Sequence, residues 1–157
     1  MTDGQVAAVL TAVNTAETGA GTFALTRAVT PAARAFAQSM VEMHSSAQER
    51  QAAIIAALNL TLTPSVLSMQ LTDESMATMT HLMSLSDTEF DGAYLRTQVD
   101  AHTEVLMLID VQLLPNVVAD ALRAELVLTR TQVANHIDAA RTAIAALELD
   151  TDAGVAP

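Results

Sequence analysis

The chain has 157 residues, enough for one domain with its own hydrophobic core. Its formal net charge is −11, and the few basic residues are all arginine, so nucleic acid and anionic membranes are not expected partners. There is no cysteine, which excludes disulfides, thiol catalysis and cysteine-ligated metal sites. With 51% apolar but only 3% aromatic residues, the composition favours helices over strands.

Helical spacing of the apolar residues predicts four long helices and one short helix. Helix 1 is expected over about residues 3–28. Helix 2 is expected over about residues 31–58, with Thr30 as N-cap before Pro31. Residues 59–71 are expected to be irregular, because their periodicity is broken and they include a proline.

The second half of the chain follows the same pattern. A short helix is expected over about residues 72–85. Ser86 and Glu89 have the spacing of a capping box, which predicts the start of helix 3, and that helix should run to about residue 113. Helix 4 is expected from residue 118 or 120 to residue 149.

We expect residues 1–149 to form a single domain and residues 150–157 a flexible tail. Short turns make helices 1 and 2, and helices 3 and 4, antiparallel neighbours. Roughly 27 residues separate helices 2 and 3, enough for a crossover that carries the short helix. This predicts an antiparallel four-helix bundle of the ferritin-like type. A simple up-and-down bundle with a decorated loop is the alternative.

Three histidines recur in one pattern on the apolar stripes of helices 2, 3 and 4, with a valine three residues before each. A residue able to coordinate a metal or form a hydrogen bond precedes each histidine by four residues, one helical turn away. The three sets, each in chain order, are Met40, Val41 and His44; Gln98, Val99 and His102; and Gln132, Val133 and His136.

A carboxylate, Glu17, interrupts the apolar stripe of helix 1. The midpoint between Glu17 and His44 falls at the turn between helices 1 and 2, so we expect the two side chains at the same height. The midpoint between His102 and His136 falls a few residues past the predicted turn between helices 3 and 4. These two histidines are therefore expected about one helical turn apart in height, where they can still be neighbours.

Inward imidazoles and one carboxylate suit a single transition metal ion, namely zinc, copper or iron. The predicted ligands are Glu17, His44, His102 and His136. Carboxylate-bridged di-iron sites need Glu three residues before the histidine, and here valine occupies that position in all three repeats. We therefore expect metal binding without di-iron oxidase chemistry, and no catalytic residue is assigned.

Two alternatives need no such ion at the histidines. In the first, the inward His, Glu and Gln form a hydrogen-bonded polar layer in a non-catalytic structural or interaction protein, for example a homodimer joined through an exposed apolar helix face. In the second, methionines at helical spacing form a soft copper(I) surface with His81. Those methionines are Met40, Met43, Met76, Met79 and Met83.

The pattern of these residues resembles the bacterial family known as domain of unknown function 4142, over about residues 6–147. The resemblance is carried by one segment on each long helix. They are Glu17 with Gly19 or Gly21 and Ala24; Phe36-Ala37-x-x-Met40-Val41-x-x-His44; Phe90-Asp91-x-x-Tyr94-Leu95 with His102; and His136-x-Asp138-x-Ala140.

The resemblance implies a ferritin-like four-helix bundle, exported to the periplasm or cell surface, with no assigned activity. One departure is that the family commonly has Asp before the histidine of helix 2, where this chain has Met43. Outer-shell support for that imidazole is then either missing in this chain or supplied by Glu42.

The first residues lack the basic-then-apolar pattern of a signal peptide, and no apolar run is long enough to cross a bilayer. We expect a periplasmic or secreted protein whose export signal is absent from this chain. The alternative is a cytoplasmic protein.

Overall fold

The computed structural model describes residues 1–153, with side chains as far as residue 148. Over that range the chain is all-α, as predicted, and contains no strand. The elements are α1 (Asp3–Arg27), α2 (Pro31–Ala57), α3 (Val66–Ser84), α4 (Asp87–Leu108), a π-helical segment (Ile109–Leu113) and α5 (Asp120–Ala153). The last helix thus continues past residue 149, where the sequence placed its end. The remainder of the predicted tail, 154–157, lies outside the described residues.

Side-chain caps determine where several helices begin. The side chains of Thr2, Thr30 and Ser65 each accept a hydrogen bond from the backbone N–H three residues later. The predicted cap at Thr30 is confirmed, and Pro31 follows at the first helical position, where its missing N–H costs no helical hydrogen bond.

Helix α3 is longer than the sequence predicted. Residues 59–71 were expected to be irregular because of Pro64, yet α3 already begins at Val66. Pro64 lies just outside the helix, and Ser65 and Ser68 satisfy each other's backbone N–H groups in a capping box. The short helix expected over residues 72–85 is therefore the C-terminal part of a 19-residue helix.

The helices pack in a pattern that follows the length of their connections. Helices α1 and α2 are joined by three residues and pack against each other as antiparallel neighbours, and α4 packs against α5. Helix α2 also contacts α5, while α3 lies against α1 and α4. None of the described helices combines the length and apolarity needed to span a bilayer.

Two apolar clusters form the core, and a polar layer separates them along the helices. One cluster contains buried residues from 6–13 of α1, 105–108 of α4, the π-helical segment and 122–133 of α5, with Val117. The other contains buried residues from 33–40 of α2, 90–95 of α4 and 140–143 of α5, with Ala24, Ala28 and Leu82. Between these positions lie buried polar side chains, namely Asn14, Glu17, His44, Gln98, His102 and His136.

The turn between α1 and α2 is held in place by a buried carboxylate of α4. Asp91 accepts hydrogen bonds from the backbone N–H groups of Val29 and Thr30 and from the Thr30 hydroxyl, at 2.6 to 3.3 Å. These are charge-assisted bonds to groups at the start of α2, which would otherwise be left without partners. Asp91 thereby fixes the position of the α1–α2 pair relative to α4.

Replacing this carboxylate should lower the stability of the whole domain. We expect Asp91→Ala to reduce the free energy of unfolding by about 3 kcal/mol, because several buried donors lose a charged acceptor at once. Urea unfolding followed by circular dichroism measures the change. Asp138→Ala, which removes an exposed carboxylate, is the matched control and should change stability by less than about 0.5 kcal/mol. Equal stabilities for the two variants would contradict this role of Asp91.

Candidate metal centre

Three helices bring their histidines together in the polar layer. His44 from α2, His102 from α4 and His136 from α5 are all buried, with 2–5% of their surface exposed. Their ring centroids lie 5.7 Å apart for His44 and His102 and 5.1 Å apart for the other two pairs. One ring nitrogen from each lies within 4.8 Å of the other two. The structure thus brings together the three histidines that the sequence singled out.

A backbone carbonyl determines which nitrogen of His102 carries the proton. Nδ1 of His102 lies 2.9 Å from the carbonyl oxygen of Gln98, which can only accept, so Nδ1 is the donor. In the neutral ring Nε2 is then an acceptor. It lies 3.1 Å from Nδ1 of His136, which therefore donates to it. The remaining nitrogen of His136, Nε2, carries a lone pair.

A second chain of hydrogen bonds determines the proton position on His44. Gln51 donates from Nε2 to the carbonyl of Ala7 at 2.7 Å and to the hydroxyl of Thr11 at 2.8 Å, which orients its amide. Its Oε1 accepts from Nδ2 of Asn14 at 3.2 Å. Oδ1 of Asn14 therefore faces His44 and accepts from its Nδ1 at 3.0 Å. The lone pair of His44 lies on Nε2.

Both chains end at a buried nitrogen that has no partner. Nε2 of His44 and Nε2 of His136 are inaccessible to solvent and make no hydrogen bond to the described residues. Each is a lone pair left without a donor, in rings whose centroids are 5.1 Å apart. Buried polar atoms are rarely left in this state, so an ion, a proton or a water molecule is the expected partner.

The surroundings keep these rings uncharged. Burial, with smaller contributions from His102 and His136, lowers the pKa of His44 to about 2. Burial, with a smaller contribution from His102, lowers the pKa of His136 to about 4. An imidazolium here would lose its hydration and would repel the neighbouring rings. At neutral pH both side chains are therefore in the neutral form, which is the form that coordinates metals.

Glu17, the fourth predicted ligand, lies elsewhere in the polar layer. Among the described residues, the group of nitrogens and carboxylate oxygens that meet within 4.8 Å contains the three histidines and not Glu17. Glu17 is 6% exposed and its Oε2 is buried without a hydrogen-bond partner. The pKa of Tyr94 is raised well above its usual value, first by burial and then by the Glu17 carboxylate.

The position of the α1–α2 turn explains why Asn14 rather than Glu17 meets His44. The connection runs from Arg27 to Pro31, so its centre is Val29, slightly earlier than the sequence analysis assumed. The midpoint of Asn14 and His44 is also residue 29, which places these two at the same height. Glu17 lies about one helical turn away along α1.

The chain reverses slightly later after α4 than the sequence predicted, and His102 and His136 are neighbours, as the predicted spacing allowed. Beyond Leu108 the chain continues through the π-helical segment, and the N–H of Val117 still donates to the carbonyl of Leu113 at 3.0 Å. The chain therefore reverses near residue 118, close to the midpoint of the two histidines. Their rings meet in the core, with centroids 5.1 Å apart.

The residues one turn before each histidine do not support it with their side chains. Met40 lies in the apolar core, and Gln132 accepts from the Arg50 guanidinium, which also pairs with the buried carboxylate of Glu125. Only the backbone carbonyl of Gln98 fulfils the predicted role. Glu42, considered as support for His44, is exposed and binds Gln38 instead.

Residues Asn14 and Gln51 are the site residues that sequence reasoning missed. Both are polar positions on otherwise apolar stripes, and Gln51 lies two turns beyond His44 on the same face of α2. These polar positions on apolar stripes were the sequence signal that could have identified both residues. Of the methionines of the copper(I) alternative, Met40 is buried in the core, whereas Met76 and Met83 on α3 are 56% and 61% exposed, and His81 is exposed too.

A family model described as domain of unknown function (DUF4142) matches residues 1–143. The chain belongs to this family. This match confirms the resemblance noted from the sequence. Asn14, Glu17 and the three histidines all fall within the matched range. No curated protein and no solved structure matches the chain.

The stability of the native state should fall as the pH falls below about 6.5. Unfolded imidazoles take up protons near pH 6.5, whereas native His136 does so only near pH 4 and native His44 near pH 2. In that window the unfolded state binds more protons, so each histidine lowers the free energy of unfolding by up to about 1.4 kcal/mol per pH unit. Urea unfolding between about pH 7 and pH 5, with EDTA present, measures this slope.

Two variants separate the buried histidines from other groups that titrate. His136→Gln should remove part of the slope, and His81→Gln, which changes an exposed histidine, should keep all of it. A wild-type free energy of unfolding that stays constant from about pH 7 to pH 5 would show that the rings are not held neutral.

Proposed function

We propose that this protein binds one transition metal ion through His44, His102 and His136. The observation that carries the proposal is the pair of buried Nε2 lone pairs, each at the end of a hydrogen-bond chain that fixes its tautomer. Three nitrogens bound to one tetrahedral ion at about 2.0–2.1 Å lie roughly 3.3 Å from one another. The observed group lies within 4.8 Å and reaches that geometry by a small contraction, in which His136 gives up its hydrogen bond to Nε2 of His102 so that this third lone pair also faces the ion.

The chemistry of the donors favours zinc, copper or iron. Neutral imidazole is a borderline ligand that suits these ions, and three such ligands leave one coordination position for water or a fourth group. The hydrogen bonds from Nδ1 to Asn14 and to the Gln98 carbonyl are typical outer-shell support for metal-binding histidines. We propose binding without di-iron oxidase chemistry, because valine stands three residues before each histidine, where such a site needs glutamate.

Glu17 as a fourth ligand stays a prediction. Its carboxylate is buried on α1 about one turn from Asn14, and a buried anion there would offset part of the charge of a divalent ion. Zinc titration of Glu17→Gln tests it. A loss of affinity as large as that of His44→Ala would identify Glu17 as a ligand.

The polar layer remains the second candidate, because one water molecule could satisfy both lone pairs. Water can donate two hydrogen bonds, and Nε2 of His44 and Nε2 of His136 both need a donor. In that case the histidines fix the register of the helices and bind no ion. Metal titration distinguishes the two candidates.

We also propose that the packing of α1, α2, α4 and α5 is a ferritin-like bundle, with α3 in the crossover between α2 and α4. Two antiparallel pairs and the long connection support this arrangement. Export to the periplasm or secretion remains a proposal supported by the family resemblance. Fractionation of cells that produce the protein tests it, and recovery in the cytoplasm would contradict it.

The metal proposal predicts one ion per chain and a strong dependence on His44. Protein purified without a nickel column should contain or take up about one equivalent of metal, measured by mass spectrometry of the elements. In calorimetric titrations with Zn²⁺ and Cu²⁺, His44→Ala should lower the affinity by at least about 100-fold, more than the loss of an outer-shell partner. His81→Ala, which removes an exposed histidine, is the matched control and should bind like the wild type.

A second pair of variants tests the tautomer argument within the same titration. Asn14→Ala should lower the affinity by about 10–100-fold, because His44 loses the acceptor that holds its Nε2 lone pair inward. Asn135→Ala, which changes an exposed asparagine near His136, should have no such effect. If the wild type binds both ions no better than His44→Ala, the polar-layer alternative replaces the metal proposal.

A further inference from the structure

A cavity of about 1010 Å³ lies between α1, α3 and α4, and no histidine lines it. This volume is in the range of pockets that hold small organic ligands. Most of its lining is apolar, from small residues of α1 on one side and larger residues of α3, such as Leu71, Met79 and Leu82, on the other. It is therefore distinct from the group of three histidines, although Glu17, the predicted fourth ligand, lies in its wall.

The cavity exists because one face of α1 carries almost no side-chain volume. Ala8, Ala12 and Ala16 recur every four residues along that face, and Ala20 continues the series. At Gly19 a methyl group would meet no atom within 4 Å. Helix α3 packs against α1, yet nothing on α1 fills the space between them.

Two side chains that each carry a buried acceptor oxygen without a donor belong to the wall of this apolar space. Glu17 and Gln98 are 6% and 4% exposed, and both contribute to the cavity wall. Oε2 of Glu17 and Oε1 of Gln98 accept no hydrogen bond from the described residues. A buried acceptor without a donor costs free energy, so a ligand that brings N–H groups would be favoured here.

The charge around the cavity has one sign. Besides Glu17, four exposed carboxylates line it, and no arginine does. These four are Asp73, Glu74, Asp100 and Glu104. Carboxylates with no counter-charge attract a cation into the cavity and exclude anions.

We propose that this cavity binds a primary or secondary amine with an apolar body. The ammonium group would donate hydrogen bonds to Glu17 and Gln98, and the apolar part would lie against the alanines of α1 and the side chains of α3. A quaternary ammonium has no N–H to donate, and no aromatic ring lines the cavity to bind it by cation–π contact. Exposed methionines at the wall, Met69 and Met76, can adapt to bodies of different shape.

Dansylcadaverine, a primary alkylamine with a fluorescent aromatic group, is a suitable probe. Its fluorescence should rise on titration with the full chain in the presence of EDTA, which keeps metal binding out of the measurement. The neutral dansyl propylamide and the trimethylammonium analogue should bind at least about tenfold more weakly, since one lacks the charge and the other lacks the N–H donors. Equal binding of the three probes, or no binding of the amine, would overturn the proposal.

Matched variants locate the binding site. Glu17→Gln should weaken binding of the amine by about tenfold or more, whereas Glu42→Gln, which changes an exposed carboxylate of α2, should not. Ala16→Phe should abolish binding by filling the cavity. Circular dichroism verifies that each variant is folded. Binding of the amine by folded Glu17→Gln and Ala16→Phe at wild-type affinity would overturn the assignment to this cavity.

Discussion

The hydrogen bonds donated by the Nδ1 atoms of three buried histidines determine which ring nitrogens in the core keep a lone pair for a ligand. A neutral imidazole has one N–H and one lone pair, so fixing the donor also fixes the direction of the lone pair. Asn14 and the Gln98 carbonyl fix two donors directly, and His102 fixes the third. An apolar core on either side prevents water from supplying other partners freely. The unpartnered nitrogens of His44 and His136 follow from these constraints.

Helix α1 contributes residues to two regions with different chemistry, the histidine site and the cavity. Its Asn14 belongs to the series of hydrogen bonds that orients His44, while its alanine face and Glu17 border the cavity between α1, α3 and α4. Gln98 links the two regions, because its backbone carbonyl orients His102 while its side chain lines the cavity. A change at either residue can therefore affect both sites, which is why the metal and the amine need separate titrations.

The sequence was sufficient to predict the four long helices and the inward position of the three histidines. Apolar periodicity and the caps at Thr30 and Ser86 placed most boundaries within a few residues, and the inward position of His44, His102 and His136 followed from the same periodicity. Asn14 could not be chosen over Glu17, because a shift of the turn by one or two residues moves the facing residue by a helical turn. The start of α3 was missed because Pro64 can precede a helix as well as interrupt one.

Nitrogen-15 nuclear magnetic resonance of the histidine rings in metal-free protein at neutral pH tests the central claim most directly. The account predicts the tautomer protonated on Nδ1 for His44, His102 and His136. It also predicts that added Zn²⁺ shifts the Nε2 resonances of His44 and His136 most clearly, since these two lone pairs have no other partner among the described residues. A proton on Nε2 of His44, or a charged imidazolium at that position, would contradict it.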